Sequence, residues 1–455
     1  MKSTQRILCL SLIAGYASAA LDIISGGTWT ATNTGEHIQA HGAGLIEENG
    51  TYYLIGEDKT NGTLFQAINC YSSTNLIEWT FVNTLLTVTD VEGDDLGPNR
   101  IVERPKVIFN DNTGEYVMWM HIDDTDYADA RTGVAVGESV CGEYVYRESF
   151  RPLGFQSRDI GLFKDEDGSA YLLSEDREYG TRIIKLTDDY LDVEEVTFGW
   201  EYFAESPALV KRGENYFIFG SHLTGWNPND NVYSTATSLS GPWTNWTEFA
   251  PVGTNTYSSQ VNYVLALGTN QAVYLGDRWV SSNLAASTYI WLPLEIDGTS
   301  VNLTWYDAWS VDVTSGTWAE RGDTSSYEGE DATLSGGAVT IECSQCSGST
   351  AAGYTGGDGD GAVTFEIDVD ATSASERVTL DIKYLNGDSD PRYASVSING
   401  KEAQRIAFIS TNSHPDSTGS SAVHVSLVEG VNTIEVSGVG DGLWGPDVDE
   451  LVVPA

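Results

Sequence analysis

The chain has 455 residues, 41% hydrophobic and 11% aromatic, more than one ordinary domain needs and enough to bury a large core. Its formal net charge of −43 repels nucleic acid and anionic membranes and leaves a neutral partner, such as an uncharged polysaccharide, compatible with the surface. Glycine (47), tyrosine (23) and tryptophan (13) are plentiful, a mixture that suits β-rich folds with many turns and aromatic-lined clefts.

At the N-terminus, Lys2 and Arg6 precede an apolar run ending in Ala17-Ser18-Ala19, which reads as a secretory signal over residues 1–19. A soluble, secreted mature protein is expected, and loss of those two cations takes the net charge from −43 to −45. No later apolar run is long enough to span a bilayer. Cys9 leaves with the signal, and Cys70, Cys141, Cys343 and Cys346 remain, an even number suited to an oxidising compartment. No second Cys or His pair lies near Cys343 and Cys346, so a local disulfide is expected there in place of zinc; whether Cys70 pairs with Cys141 is open. Asn49, Asn61, Asn245 and Asn302 each begin an N-x-T sequon.

Five segments then share one plan of polar residue, apolar pair, turn and aromatic strand. They are HGAGLIEENGTYYLIGED (41–58), ERPKVIFNDNTGEYVMWMHID (103–123), DIGLFKDEDGSAYLLSED (159–176), ESPALVKRGENYFIFGSH (205–222) and QVNYVLALGTNQAVYLGDR (260–278). Each reads as a β-hairpin, with Gly, Asn or Asp between two apolar strands. The spacing leaves room for four antiparallel strands per unit, the pattern of a five-bladed β-propeller. The polar openers His41, Glu103, Asp159, Glu205 and Gln260 would converge at one mouth of a central channel. A second ring, Glu57, His121, Glu175, His222 and Arg278, would come from the returning strands. No metal-ligand spacing is evident among them. Arg104 and Arg158, beside two openers, should point away from the axis if strand alternation holds.

Two carboxylates facing each other across a pocket are the working parts of glycoside hydrolysis, and one of them must stay protonated near neutral pH. Glu205 suits that need. Tyr202 and Phe203 can exclude water around it, and Asp159 on the neighbouring unit can raise its pKa by like-charge repulsion.

ERPKV, SRDIGLFKDEDGSAYL, ESPALVKRGENYFIF, CYSSTNLIEW and YIWLPLEI resemble glycoside hydrolase family 43 over about residues 25–310. The resemblance implies a five-bladed propeller that cleaves glycosidic bonds with inversion, without a cofactor for catalysis. Glu205 matches the general acid and Asp159 the carboxylate that tunes and orients it. Where the family usually places an Asp as base, this chain reads QAHGAG (39–44), without a carboxylate. HIQAHGAG, SHLTGWNPN and YSSQVNY resemble the branch that includes exo-β-1,3-galactanases. That implies release of galactose from the β-1,3-galactan backbone of arabinogalactan. Gln260 is then expected to handle the attacking water as a base surrogate, and Glu103 to bind sugar hydroxyls, with base as its second reading. Glu57, Tyr127 and Trp226 are further pocket candidates, Trp226 as a stacking platform for galactose. An α-L-arabinofuranosidase, a β-xylosidase or an inactive carbohydrate-binding protein are the alternatives.

The small, polar stretch 313–326 suggests a transition, with a propeller over 20–318, a linker at 319–326 and a second unit over 327–455. AVTFEIDV, RVTLDIKYL, YASVSING, AVHVSLVEG and NTIEVSGV alternate as the strands of a β-sandwich of jelly-roll type. YEGEDATL and GPDVDELVV resemble carbohydrate-binding module family 35. That match implies a structural calcium on Glu328, Glu330 and Asp449, with Asp447 as rival ligand. The loops GYTGGDGD, NGDSDPR and GLWGPD offer Tyr354, Asp388, Arg392 and Trp444 as sugar contacts. A monomer is expected.

Overall fold

A computed structural model describes residues 21–455 apart from Asn270, 371–376 and 413–417; the expected signal segment lies outside the described residues. The described chain is all-β, its helices no longer than four residues. None is long and apolar enough to cross a membrane.

Each of the five repeated segments supplies the first two strands of a four-stranded antiparallel sheet whose strands pair in chain order. The leading strands are His41–Glu48, Ile101–Asn110, Ile160–Lys164, Glu205–Arg212 and Gln260–Leu267. Local chemistry fixes the hairpins: between Glu48 and Thr51 the two turn residues are Asn49 and Gly50, both at positive φ, as a two-residue turn of matching twist requires. The leading strands lie side by side in chain order, and the fifth also contacts the first. Alternating apolar residues of neighbouring sheets fill the wedges between them. Ile55, Ile68, Met118 and Met120 pack between the first two sheets. Phe217, Phe219, Tyr274 and Leu292 pack between the fourth and fifth. Trp29, Trp79, Trp291 and Trp309 gather between the fifth and the first.

Cys70 of the first sheet is disulfide-bonded to Cys141, beyond the third strand of the second sheet, and Cys343 is bonded to Cys346. Asn49, Asn61, Asn245 and Asn302 are all exposed.

Two further sheets face each other across a core that includes Phe365, Leu380, Ile382, Tyr384, Val396, Phe408 and Ile434. This is the sandwich that the C-terminal alternation predicts. The stretch 319–326 is not an extended tether. Its first residues end the strand Thr317–Glu320, its last begin Thr324–Glu328, and Arg321 between them forms an ion pair with Asp22 at 2.7 Å. The segment 22–40 is wedged between the sandwich and the five sheets. Asp22–Ile24 pairs with Ala308–Asp312, while the Thr28 N–H donates to the Ser420 carbonyl at 2.7 Å.

Candidate active site

The site begins with a bulge. On four of the five leading strands one extra residue is inserted just after the opener: between His41 and Gly44, Glu103 and Lys106, Glu205 and Ala208, and Val261 and Tyr263. A bulge breaks the alternation of faces and re-aims the next side chain. Gly42, Arg104 and Ser206, each directly after an opener, adopt φ of 56°, 55° and 52°. Arg104 therefore turns inward, contrary to the expectation that it points away from the axis. Four openers, Glu103, Asp159, Glu205 and Gln260, line a small cavity with Arg104, Tyr127, Arg177, Gly225 and Trp226. His41, the fifth, lies beneath it, wholly buried, with Nδ1 3.1 Å from the Asp277 carboxylate and its ring stacked on Tyr289. On the fourth and fifth sheets the register sets Ser221 opposite Glu205 and Asp277 opposite Gln260. His222 and Arg278 thus fall one residue outside the expected second ring.

Glu205 is buried, 5% exposed. Burial raises its pKa most, the charges of Asp159 and Glu175 add to it, and the guanidinium groups of Arg177 and Arg104 do not cancel them, so it is pushed up to about 8. Its Oε1 accepts from Arg177 Nη2 at 2.7 Å. Glu103 is the opposite case. Burial would raise it, yet Lys59, His121 and Arg104 hold it well below the usual carboxylate range. Its Oε1 lies 3.2 Å from both Lys59 Nζ and the Tyr127 hydroxyl. Glu103, His121 and Asp159 bring ligand-type atoms within 4.8 Å of one another, a cluster that sequence spacing does not reveal. Burial disfavours the charge on His121, but hydrogen bonds to Asp123 and Glu103 outweigh it and push its pKa up to about 9. An imidazolium cannot ligate a cation, and Asp159 already meets Arg104 at 3.0 Å, so the cluster as it stands is an ion-pair network.

Gln260 presents its oxygen to Arg104 Nη2 at 2.6 Å and Trp279 Nε1 at 2.9 Å. Its Nε2 donates to Ser221 Oγ at 2.8 Å and, more weakly, to Glu205 Oε2 at 3.5 Å. Trp226 stands edge-on to Trp279, centroids 4.9 Å apart, and closes one side of the cavity. Glu57 sits behind the wall, where it accepts from the Arg104 main-chain N–H at 2.8 Å and pairs with Lys59 at 2.5 Å.

A family model for glycosyl hydrolases family 43 matches residues 40–288. The chain belongs to glycoside hydrolase family 43. Among solved family 43 folds it is similar to the exo-β-1,3-galactanase of Phanerochaete chrysosporium, solved with β-1,3-galactotriose and with galactose. Identity there is 37% and the TM-score 0.66, covering 95% of this chain and 99% of that one. The exo-β-1,3-galactanase of Clostridium thermocellum is 25% identical with a TM-score of 0.62, over 94% of this chain and 99% of that one. A family 43 β-1,3-galactosidase solved with galactodeoxynojirimycin is 32% identical with a TM-score of 0.59, over 63% of this chain and 99% of its own. No curated protein matches.

A second model, described as alpha-galactosidase, CBM13 domain, matches residues 362–453 of the sandwich, where the sequence resemblance implies family 35. At one end of the sandwich, Tyr354 and Trp444 are exposed and set edge to face, 5.9 Å apart. Asp388 pairs with Arg392 at 2.8 Å, and Arg392 Nη1 donates to the Gly445 carbonyl beside Trp444. These four expected sugar contacts therefore share one end. The acids Glu328 and Asp449 meet at Ser347, whose Oγ donates to Glu328 at 2.8 Å and whose N–H donates to Asp449 at 3.0 Å, while Glu330 accepts from Thr350 Oγ1. The Oε2 atoms of Glu328 and Glu330 are buried without a hydrogen-bond partner. Asp447, the rival ligand, instead accepts from the Tyr354 N–H at 3.0 Å.

Sequence reasoning aimed Arg104 outward and missed Lys59, Arg177, Ser221 and Trp279. A signal for Arg104 was present: Glu-x-Pro recurs at 103–105 and 205–207. Pro has no N–H to leave unpaired, which suits it to a bulge.

Proposed function

We propose that the chain is an inverting exo-β-1,3-galactanase that releases galactose from the β-1,3-galactan backbone of arabinogalactans. Its five sheets would form a five-bladed propeller, closed where the leading strands of the fifth and first sheets meet. The observation that carries this reading is the buried carboxyl of Glu205, pushed up to about 8 beside Asp159 in the wall of a small cavity. A group so placed is protonated at neutral pH and can give its proton to the glycosidic oxygen as the bond breaks. The choice of galactan is supported by the likeness to solved exo-β-1,3-galactanases.

Asp159 adds to burial in keeping Glu205 protonated, and its salt bridge with Arg104 fixes its position. Gln260 is assigned to the attacking water. Glu103 is assigned to sugar hydroxyls, because Lys59, His121 and Arg104 depress its basicity. Trp226 and Tyr127 line the same cavity, and a ring face there suits the apolar face of galactose.

The sandwich holds the enzyme on galactan through Tyr354, Asp388, Arg392 and Trp444. Glu328, Glu330 and Asp449 suit a structural calcium: two carboxylate oxygens lack partners, and burial with the neighbouring acids pushes Asp449 up to about 6. A bound cation would pin the two ends of the module together. The N-terminal segment and the exposed sequons support secretion with glycosylation, and the protein is taken to act as a monomer.

The test is hydrolysis of β-1,3-galactan oligomers by the purified full chain, beside a panel of nitrophenyl glycosides, with the first-formed anomer read by proton NMR. Galactose should appear first as the α anomer. Arabinose or xylose release with galactan untouched would reject the substrate, and the β anomer appearing first would reject inversion.

A further inference from the structure

We infer, building on the galactanase reading above, that the cleft between the first sheet and the sandwich is a second sugar site, which takes a neutral galactosyl unit of the substrate chain.

The cleft encloses a cavity of about 430 Å³, within the range of small-ligand pockets. It shares no lining residue with the catalytic cavity. The chain at 57–59 is the partition between the two. Glu57 and Lys59 turn to the Arg104 N–H and to Glu103, while Asp58 between them lines the second cavity. Ser389, Asp390 and Tyr393 of the sandwich stand at its other wall. They interleave in sequence with Asp388 and Arg392, which belong to the Trp444 end of the sandwich. The cavity is thus flanked by the catalytic wall on one side and by the loop of the module's own sugar contacts on the other.

Its walls combine ring faces with hydrogen-bonding oxygens, as a sugar requires. Phe81 and Tyr393 are half-buried rings held in place, Phe81 edge-on to Tyr71 at 5.5 Å and Tyr393 under the Arg405 guanidinium at 3.6 Å. Asp58 commits Oδ1 to the Thr60 N–H at 2.9 Å and leaves Oδ2 with one long contact, 3.5 Å to Asn69. Asn283 donates across the cleft to the Ser389 carbonyl at 2.7 Å, and its own amide oxygen lines the cavity as an acceptor. Glu36, Asp58 and Asp390 are lining acids without a lining Lys or Arg, which disfavours uronic acids and phosphates. Nor do these acids gather for a metal ion: among the described residues, the group close enough to share one is Glu103, His121 and Asp159.

A buried donor at the same wall lacks a partner. His37 lines the cavity, is 6% exposed, and is kept neutral by burial, which pushes its pKa down to about 3. The Gln39 amide oxygen accepts the Lys59 N–H at 3.0 Å, so its nitrogen is the edge that donates to the Ala285 carbonyl and to His37 Nδ1, both at 2.9 Å. Nδ1 is therefore an acceptor, and the ring proton sits on Nε2. That N–H has no hydrogen-bond partner among the described residues, although buried donors are nearly always paired. A hydroxyl oxygen of a bound sugar would complete it.

Amide hydrogen exchange on the full chain carrying Glu205→Gln, which leaves the ligand uncleaved, tests the site with β-1,3-galactotriose. Exchange should slow at 34–37 and 283–285 as well as at 225–226 beside the catalytic cavity. Adding Asp390→Ala or Phe81→Ala should abolish the slowing at 34–37 and 283–285 and leave that at 225–226. Slowing at 225–226 alone, or slowing at 34–37 that survives both substitutions, overturns the second site. Slowing at 34–37 and 283–285 without any at 225–226 would sink the functional reading and leave the second site standing. Should Phe81→Ala not fold, Asp390→Ala, at an exposed position, decides. In the active enzyme, Asp390→Ala should raise KM for the galactan polymer several-fold more than KM for β-1,3-galactobiose, which is too short to span both cavities; an equal rise for both overturns the proposal.

Discussion

The acidity of Glu205 is set by burial first and by Asp159 and Glu175 next, so its causes can be separated by substitution. Asp159→Asn removes one repelling charge and should move the basic limb of kcat/KM from near pH 8 toward lower pH. An unmoved limb would show that Asp159 does not contribute to it. Glu205→Gln should lower turnover of galactan oligomers by about 10³-fold, within the range for loss of a general acid. The same carboxyl has a stability cost. Its folded pKa lies above the ordinary 4.5, so its contribution is fully present below about pH 4.5 and is lost as pH rises through about 8. Glu205→Gln should therefore melt higher than wild type at pH 8 and lose that advantage at pH 4, which thermal unfolding at the two pH values checks. Glu205 and Asp159 were legible in the sequence because each opens a recurring hairpin. Lys59, Arg177 and Trp279 were not, since they follow second strands, where the repeat pattern ends and nothing in the spacing tells a pocket residue from a loop residue.

At the scale of the strand, the device that builds the site is the bulge. Alternation predicts that Glu103 and Arg104 face opposite ways. The inserted residue cancels that rule, and a cation meant for the outside becomes the centre of the pocket. The hairpins, their turns and their apolar faces followed from periodicity alone, because a one-residue error there would expose a whole core face. Register at the strand ends did not follow, which is why Ser221 and Asp277 stand where His222 and Arg278 were expected. On the first strand the bulge needs glycine. A Cβ on Gly42 would lie 2.1 Å from Glu57 Oε1, at a φ of 56°. Gly42→Ala should cost about 1–3 kcal/mol. By displacing Glu57 from the Arg104 N–H it should also lower kcat. Urea unfolding and steady-state kinetics on one preparation test both, and normal activity with reduced stability would detach Glu57 from the pocket.

Across the whole molecule, the polar stretch that suggested a linker conceals a docked interface. Small polar residues look alike in a tether and in short edge strands; what distinguishes them is Arg321 with Asp22, and Thr324–Glu328 paired with Asp447–Pro454. More contacts join the halves: Arg377 with Glu78 at 2.7 Å, Asn283 with the Ser389 carbonyl at 2.7 Å, and the Ala407 N–H with Thr30 at 3.0 Å. Residues 21–320 alone should therefore melt about 5 °C or more below the full chain, given ~2–4 °C for each kcal/mol of lost contact. Calorimetry decides: an unchanged melting temperature would make the module a passenger, and the same scan with a chelator tests the calcium at Glu328, Glu330 and Asp449. The wedge of residues 22–40 carries a consequence for synthesis. Thr28 finds its partner, Ser420, nearly four hundred residues later in the chain, and Asp22–Ile24 must wait for Ala308–Asp312. This early segment is thus among the last to be seated: Asp22–Ile24 stays unpaired until Ala308–Asp312 emerges and Thr28 until the sandwich does, so a translational pause within the sandwich would leave an otherwise finished catalytic half without that seat.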